Sequence, residues 1–317
     1  MTNGKPLIII AGPTAVGKTD LSIALAKKIQ GSIISADCMQ IYKYMDIGSA
    51  KVTPEEMQGI PHYLIDQLDP KEEFHIVKFQ EMAKAALEDI YASGRIPIVA
   101  GGTGFYTQAL LYDIHFTEND ADYAFREEME RYAAEHGAEA LHEKLKSVDP
   151  ESYEGIHANN VKRVIRALEY YHLTGQKISE HNETERKRES QYNFAYFVLN
   201  DERAHLYSRI DKRVDLMMDK GLLEEVQKLK DMGYHRDMVS MQGIGYKEIL
   251  DYLNGEGTLE QAIETVKQES RRYAKRQITW FKREKDAIWF DKSQYQYRED
   301  AILQDMLAIL HEKGIVE

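Results

Sequence analysis

Cysteine is almost missing from this chain: Cys38 is the only one in 317 residues. One thiol permits no intrachain disulfide and no zinc-finger cluster, and it points to a reducing, cytoplasmic setting. Long apolar runs are missing too, none approaching the ~20 residues that cross a bilayer, so no membrane partner is expected. The apolar stretch near the N-terminus runs into a glycine-rich turn rather than a cleavage site, so no secretion signal is expected. The 11 histidines are scattered, with no HExxH, CxxC or close His/Cys pattern. Positive charge is in deficit, with 41 basic residues against 53 acidic and a net charge of −12. That weighs against nucleic-acid binding by the whole surface but leaves room for a local basic groove.

What the chain does contain is a phosphate cradle. Gly12-Pro13-Thr14-Ala15-Val16-Gly17-Lys18-Thr19 matches GxxxxGK[ST] in full, between the apolar run Leu7-Ile8-Ile9-Ile10 and a helical pattern. Gly12 and Gly17 let the backbone wrap tightly and turn its N–H groups inward. Lys18 supplies a point charge for the outer phosphates, and the Thr19 hydroxyl is placed to ligate Mg²⁺. Such a loop grips a phosphorylated small molecule; it does not say that a phosphoryl group is transferred.

A strand at 7–11, a helix at 18–29, a strand at 32–35, a helix at 76–92 and a strand at 96–100 alternate along the chain. This predicts an α/β fold with a parallel sheet flanked by helices, and ligand groups at the carboxyl ends of the strands. At 317 residues a main domain plus an insertion is expected. Residues 117–190 are polar, charged and helical, and read as a helical insertion domain. The run 193–199 returns to strand character and rejoins the sheet, and after 201 the pattern is mostly helical. The core then comprises 1–116 and 191–317.

Several groups sit where chemistry is expected. Asp37 ends the second strand; its carboxylate suits Mg²⁺ support, a base beside the phosphates, or simply a turn cap. Gln40 carries a two-way amide able to read a base edge. Cys38 reads as a small buried residue. Gly101-Gly102-Thr103-Gly104-Phe105-Tyr106 follows the 96–100 strand and brings Thr103 to the mouth of the same sheet. Lys162, Arg163 and Arg166 lie on one helical stretch and Arg209, Lys212 and Arg213 on another, either of which offers an arginine fork for a diphosphate. For His62 and His75, structural and catalytic roles both stay open. The segment 267–285 has eight basic and two acidic residues, a net +6 inside a chain of −12. Arg272 and Arg276 share a helix face, as do Arg271 and Lys275, which makes a cationic ridge suited to an RNA backbone. Trp280 and Phe281 beside it read as core.

Taken in order, these motifs resemble a known family. Gly12–Thr19, Asp37-Cys38-Met39-Gln40-Ile41-Tyr42, Ile60–Asp66, Gly101–Tyr106, Arg163–Glu169, Arg209–Asp215, Gly243–Glu248 and Arg271–Arg283 are similar to the tRNA dimethylallyltransferases, or IPP transferases, in their bacterial form. The resemblance covers the chain to about residue 290. It implies a P-loop NTPase-like core with a helical insertion, and transfer of a dimethylallyl group from dimethylallyl diphosphate to N6 of adenosine 37 in tRNAs reading codons that begin with U. It implies Mg²⁺ at Thr19, the whole loop Gly12–Thr19 on the diphosphate, and Asp37, Thr103 and Arg213 as catalytic residues. The tRNA anticodon stem-loop would meet Asp37, Cys38, Met39, Gln40, Thr103, Arg126, Lys162, Arg163, Arg166, Gln242, Gly243, Tyr246, Arg272 and Arg276. A monomer is expected. Cys38 stands where the family often has serine, which weakens any hydrogen bond there but leaves Asp37 available, and Asp20 follows Thr19 where serine is common. A nucleoside kinase would use the same loop and Asp37 but consume ATP and leave 267–285 unexplained. A non-catalytic RNA-binding protein would hold tRNA without an isoprenoid diphosphate.

Overall fold

The computed structural model describes residues 4–116 and 123–317, with the backbone alone of Tyr123. The expected start of the insertion at 117 falls outside these residues. The chain divides into two compact units, one formed by residues up to Leu111 and from Gln191 onward, the other by Tyr112–Ser190.

The first unit is built on apolar runs that form strands: β1 (Pro6–Ala11), β2 (Gly31–Ala36), β3 (His62–Tyr63), β4 (Ile96–Gly101), β5 (Asn193–Asn200) and β6 (Ala287–Asp291). Between and after them come α1 (Lys18–Ile29), α2 (Pro54–Met57), α3 (Ile76–Ala92) and α4 (Gly104–Leu111). The strands lie in the order β3-β2-β4-β1-β5-β6, parallel at every pairing. β1 shows no polar alternation because both sheet faces are covered. Ile8, Ile10 and Phe197 share a core with Leu25, Ile302 and Met306 on one face. Tyr196 points to the other face, where its hydroxyl meets that of Thr107 on α4 at 3.0 Å.

All six strands end at one edge. There Ala11 pairs with Gly101, and Gly101 with Ala36. The loops that follow β1, β2 and β4 therefore leave the sheet side by side. Two strands go beyond the sequence reading. β3 is two residues long, too short to show a period. β6 is an edge strand whose Trp289 is 37% exposed, and it follows a long helical segment that masks it in the sequence.

The second unit holds α5 (Tyr123–His136), α6 (Ala138–Val148), α7 (Pro150–Gly155), α8 (Val161–Thr174) and α9 (Ile178–Arg186). Leu141, Leu145, Val164, Ile165 and Leu168 form its core. The run leading into it is tied to its far end. The His115 N–H donates to Glu185 Oε2 at 2.9 Å, and the Arg188 guanidinium donates to the Asp113 carbonyl. The first unit then resumes with α10 (Arg203–Asp219), α11 (Leu222–Asp231), a 3₁₀ turn at Ser240–Gln242, α12 (Tyr246–Leu253), α13 (Leu259–Phe281) and α14 (Glu299–Glu312). Among the described residues, no helix is long and apolar enough to cross a membrane.

One buried carboxylate organises the second unit. Asp149 is fully buried and accepts hydrogen bonds from the N–H groups of Ser152 and Ser179, both at 3.0 Å, and from their hydroxyls, both at 2.7 Å. It thereby satisfies the open N-termini of α7 and α9 at once. Burial opposes its ionisation, but the bonds from Ser179 and Ser152 outweigh that and hold its carboxyl below the usual range. A group with a depressed folded value stabilises above its unfolded value and stops doing so as pH falls through the folded one. Asp149→Ala should destabilise this unit by about 3 kcal/mol at pH 7. Urea titrations followed by circular dichroism should show the gap between variant and wild type closing in strong acid.

Candidate active site

The three loops at the strand edge enclose a cavity of about 550 Å³, with all of its lining residues in the first unit. The phosphate loop forms one wall. Gly12 has φ 148°, and a Cβ there would stand 2.6 Å from the Leu199 carbonyl. Gly17 has φ 99°, and a Cβ there would stand 2.9 Å from Lys292 Nζ. Neither position accepts a side chain.

The carbonyls of this loop are held by cations. Lys18 Nζ donates to the Gly12 and Pro13 carbonyls at 2.9 and 2.7 Å. Arg209 Nε donates to Ala15 O at 2.8 Å, and Lys292 Nζ to Val16 O at 3.3 Å. A carbonyl fixed on one side turns the N–H of the next residue to the other, which is how a nest for anions is made. Thr14, Ala15, Gly17, Lys18 and Thr19 line the cavity, while Gly12, Pro13 and Val16 are buried behind them. Burial and the nearby Arg213 guanidinium push the Lys18 ammonium down to about 7, against the opposite pull of Asp37.

Asp37 follows β2 into the same cavity. Its Oδ1 accepts from the N–H groups of Met39 and Gln40 at 2.8 and 3.4 Å, closing a turn. Its Oδ2 accepts no hydrogen bond among the described residues, so turn cap and reactive carboxylate are compatible. Gln40 also lines the cavity. Its amide already accepts from the Ser35 hydroxyl and donates to the Ala50 carbonyl, both at 3.2 Å, so it braces the loop with one lone pair and one donor. The Cys38 thiol is pushed up to about 12 by burial and by Asp37, against a smaller opposite pull from Thr103. Cys38 is half-buried. Tyr273 of α13 lines the cavity as well, and burial first, then Cys38 and Asp37, raise its phenol.

The arginines that line the cavity are Arg209 and Arg213 of α10, not Arg163 or Arg166 of α8. Burial lowers the Arg213 guanidinium, while Asp37 works to keep it charged. Within the second unit, Arg126 grips the buried Glu169 with two bonds of 2.6 and 3.0 Å, and Arg166 adds a third of 2.9 Å. Lys162 and Arg163 are exposed in the first turn of α8.

Two other expectations need correction. Tyr246 was expected at the RNA but is fully buried. Its hydroxyl donates to Glu225 Oε1 at 2.8 Å and accepts from the Ser49 N–H at 3.1 Å, so the ring is a core group. Gly243 is pressed against Met39, whose methyl would stand 2.5 Å from a Cβ there. Gln242 is exposed, and its amide accepts from Arg236 at 2.7 Å. Nor is 267–285 a uniform ridge. Arg271 and Lys267 pair with Asp211 and Asp215 of α10 at 2.5 and 2.6 Å, which joins the two helices. Arg272, Lys275 and Arg276 form the exposed face, with Arg272 paired to Glu269 at 2.6 Å. His75 caps α3, accepting from the Lys78 N–H at 3.4 Å. His62 lines the cavity, and burial lowers its imidazolium pKa.

The sequence reading missed Tyr273, Gln277 and Lys292. The first two stand one turn apart on α13, a helical spacing, but among basic residues that mask it. Nothing in the sequence marks Lys292. No cluster of three or more His, Cys, Asp or Glu suited to a metal occurs among the described residues. The donors that line the cavity near the phosphate loop are oxygens, the Thr19 hydroxyl with the Asp20 and Asp37 carboxylates. That set fits Mg²⁺, which takes few protein ligands and completes its shell with water and phosphate oxygens.

Comparison with known proteins gives this geometry its context. The IPP transferase family model matches residues 40–284. The tRNA dimethylallyltransferase of Lachnoclostridium phytofermentans is 56% identical over 313 residues, covering 99% of this chain and all of that one. That of Clostridioides difficile is 55% identical over 291 residues, covering 92% and 93%. Among solved structures, the tRNA isopentenylpyrophosphate transferase of Bacillus halodurans aligns with a TM-score of 0.73 at 45% identity, over 98% of each chain. A eukaryotic dimethylallyltransferase acting on tRNA aligns with a TM-score of 0.79 at 32% identity, over 96% of this chain and 80% of its own. The chain belongs to the IPP transferase family.

Proposed function

We propose that the protein transfers the dimethylallyl group of dimethylallyl diphosphate to N6 of adenosine 37 in tRNAs reading codons that begin with U, releasing diphosphate. What carries the reading is one juxtaposition. An anion cradle and the Asp37 carboxylate share a single cavity, in a chain matched along almost its full length by tRNA dimethylallyltransferases.

In this reading the N6 lone pair of adenine forms a bond to the allylic C1 as the C1–O bond breaks, and the diphosphate leaves with that electron pair. The leaving group gains charge where Lys18, Arg213 and the N–H groups of the phosphate loop offset it. The exocyclic amine is a weak nucleophile because its lone pair is delocalised into the ring. Asp37 Oδ2 accepts a hydrogen bond from it and takes its proton as the new bond forms. Thr103, on the loop that follows β4, borders the acceptor. Thr19 would hold Mg²⁺, which would offset charge on the diphosphate when bound. The adenosine must leave its stack to enter the cavity, which the loop of an anticodon stem permits more cheaply than a duplex. The exposed face of α13 and the second unit, including Arg126, Lys162, Arg163 and Arg166, supply phosphate contacts along the stem.

The direct test is incubation with dimethylallyl diphosphate, Mg²⁺ and unmodified tRNA, without ATP, followed by nucleoside mass analysis. Prenylated adenosine is expected, and its absence would refute the reading. Asp37→Asn retains the turn acceptor but not the base. It should keep its diphosphate affinity and lose roughly 10²–10⁴-fold in turnover. Lys18 gives a pH signature: its ammonium binds diphosphate, and bound diphosphate raises its pKa. Affinity for inorganic diphosphate should therefore fall as pH rises above 7, by up to about tenfold per unit. Calorimetry at pH 8 in buffers of different ionisation enthalpy should show proton uptake on binding, absent in Lys18→Arg. Replacing Arg272 and Arg276 together by glutamine should weaken tRNA binding and lower its salt slope by up to about 2. An unchanged slope would put the RNA elsewhere.

A further inference from the structure

α13 carries two kinds of face. Arg272 and Arg276 are exposed, while Tyr273 and Gln277 line the cavity. Gln277 is 5% exposed, and both ends of its amide are engaged. Oε1 accepts from the Thr14 N–H at 2.9 Å, and Nε2 donates to the Gly102 carbonyl at 2.9 Å. These two groups sit on different loops, the phosphate loop after β1 and the Thr103 loop after β4. The chain is shaped around this contact: a Cβ at Gly102 would stand 2.1 Å from Gln277 Nε2. Gly104 is closed in the same way by Trp280, whose Cδ1 would stand 2.1 Å from a Cβ. One helix face is thus keyed into the loop that bears Thr103 and, through a single amide, into the loop that cradles the diphosphate.

We propose that Gln277 is a positioning residue for prenyl transfer: its amide fixes the spacing between the phosphate loop and the Thr103 loop. The inference rests on the function proposed above. Once both substrates are bound, the first loop holds the leaving group and the second borders the attacking nitrogen. The distance between them sets whether N6 and C1 meet in line. Displacements of about 1 Å in such an arrangement cost ~10²-fold in rate. Gln277 touches neither reacting atom and acts through the two loops. Gln277→Met keeps the volume and loses both bonds. Gln277→Glu keeps an acceptor for the Thr14 N–H but sets a carboxylate oxygen against the Gly102 carbonyl.

The test is a single-turnover reaction with saturating dimethylallyl diphosphate and unmodified tRNA, run on wild type and both variants. Thermal stability and the affinity for inorganic diphosphate are measured alongside. The rate constant should fall about tenfold or more in each variant, while diphosphate affinity stays within about threefold. A residue that only supports folding would lower the amplitude and the melting temperature and leave the rate constant alone. That pattern, or an unchanged rate constant in both variants, overturns the inference. If Gln277→Met fails to fold, Gln277→Glu carries the comparison. A wild-type protein that prenylates no tRNA overturns the underlying reading instead, whereas an active wild type with unmoved variants overturns this inference alone.

Discussion

The register of three parallel strands is the constraint from which the site follows. Ala11, Gly101 and Ala36 pair across the sheet at its carboxyl edge, so β1, β4 and β2 stop in line. Each releases a loop at that line: the phosphate cradle, the Thr103 turn and the Asp37 turn. A slip of one residue in any pairing would reverse the sides to which its side chains point and pull the three loops apart. Further support comes from chain far away in sequence. Gln277 ties two of the loops together. Glu225 holds the third, accepting from the N–H groups of Asp46, Ile47 and Gly48 at 3.0, 2.8 and 3.1 Å. Lys51, 5% exposed at its side chain, adds bonds to the Tyr42 carbonyl, Asp46 and Asp66 at 2.7, 2.6 and 2.5 Å.

Electrostatics gives the cavity its direction. In a chain of net charge −12, Lys18, Arg209, Lys212 and Arg213 all line the cavity. Without an anion they repel one another, and Arg213 adds to burial in depressing the Lys18 ammonium. A bound diphosphate relieves the repulsion and is held more tightly as its charge grows, which favours a leaving group over a substrate that keeps its charge spread. Nothing in this requires attack at phosphorus. The cradle that serves a phosphoryl transfer serves equally well when the bond that breaks is between carbon and oxygen.

Much of the fold was legible in the sequence. Runs such as Leu7–Ile10 and Ile96–Ala100 announce buried strands because parallel strands are covered on both faces. The GxxxxGK[ST] pattern announces its own geometry, since only glycine fits at Gly12 and Gly17. Asp37 and Thr103 were legible because each directly follows a strand that could be identified. β3 and β6 were not: one is too short to show a period, and the other is an edge strand without a patterned partner.

What the sequence determined by itself is local: the phosphate loop, the strand ends beside it, the helix faces and the order of motifs that marks the family. What only the tertiary structure decided is which of many chemically equivalent side chains meet. Arginine on α8 and arginine on α10 look alike as letters, yet those that line the cavity are on α10. Tyr246 looks like a ring offered to RNA, yet it is core, and Gln277 looks like one more polar residue on a basic helix, yet it joins two loops. The reason is physical. Glycine turns and apolar periods are fixed by forces between near neighbours in the chain, whereas the partner of a charge or an amide is fixed by packing across hundreds of residues, as with the 263 positions between Thr14 and Gln277.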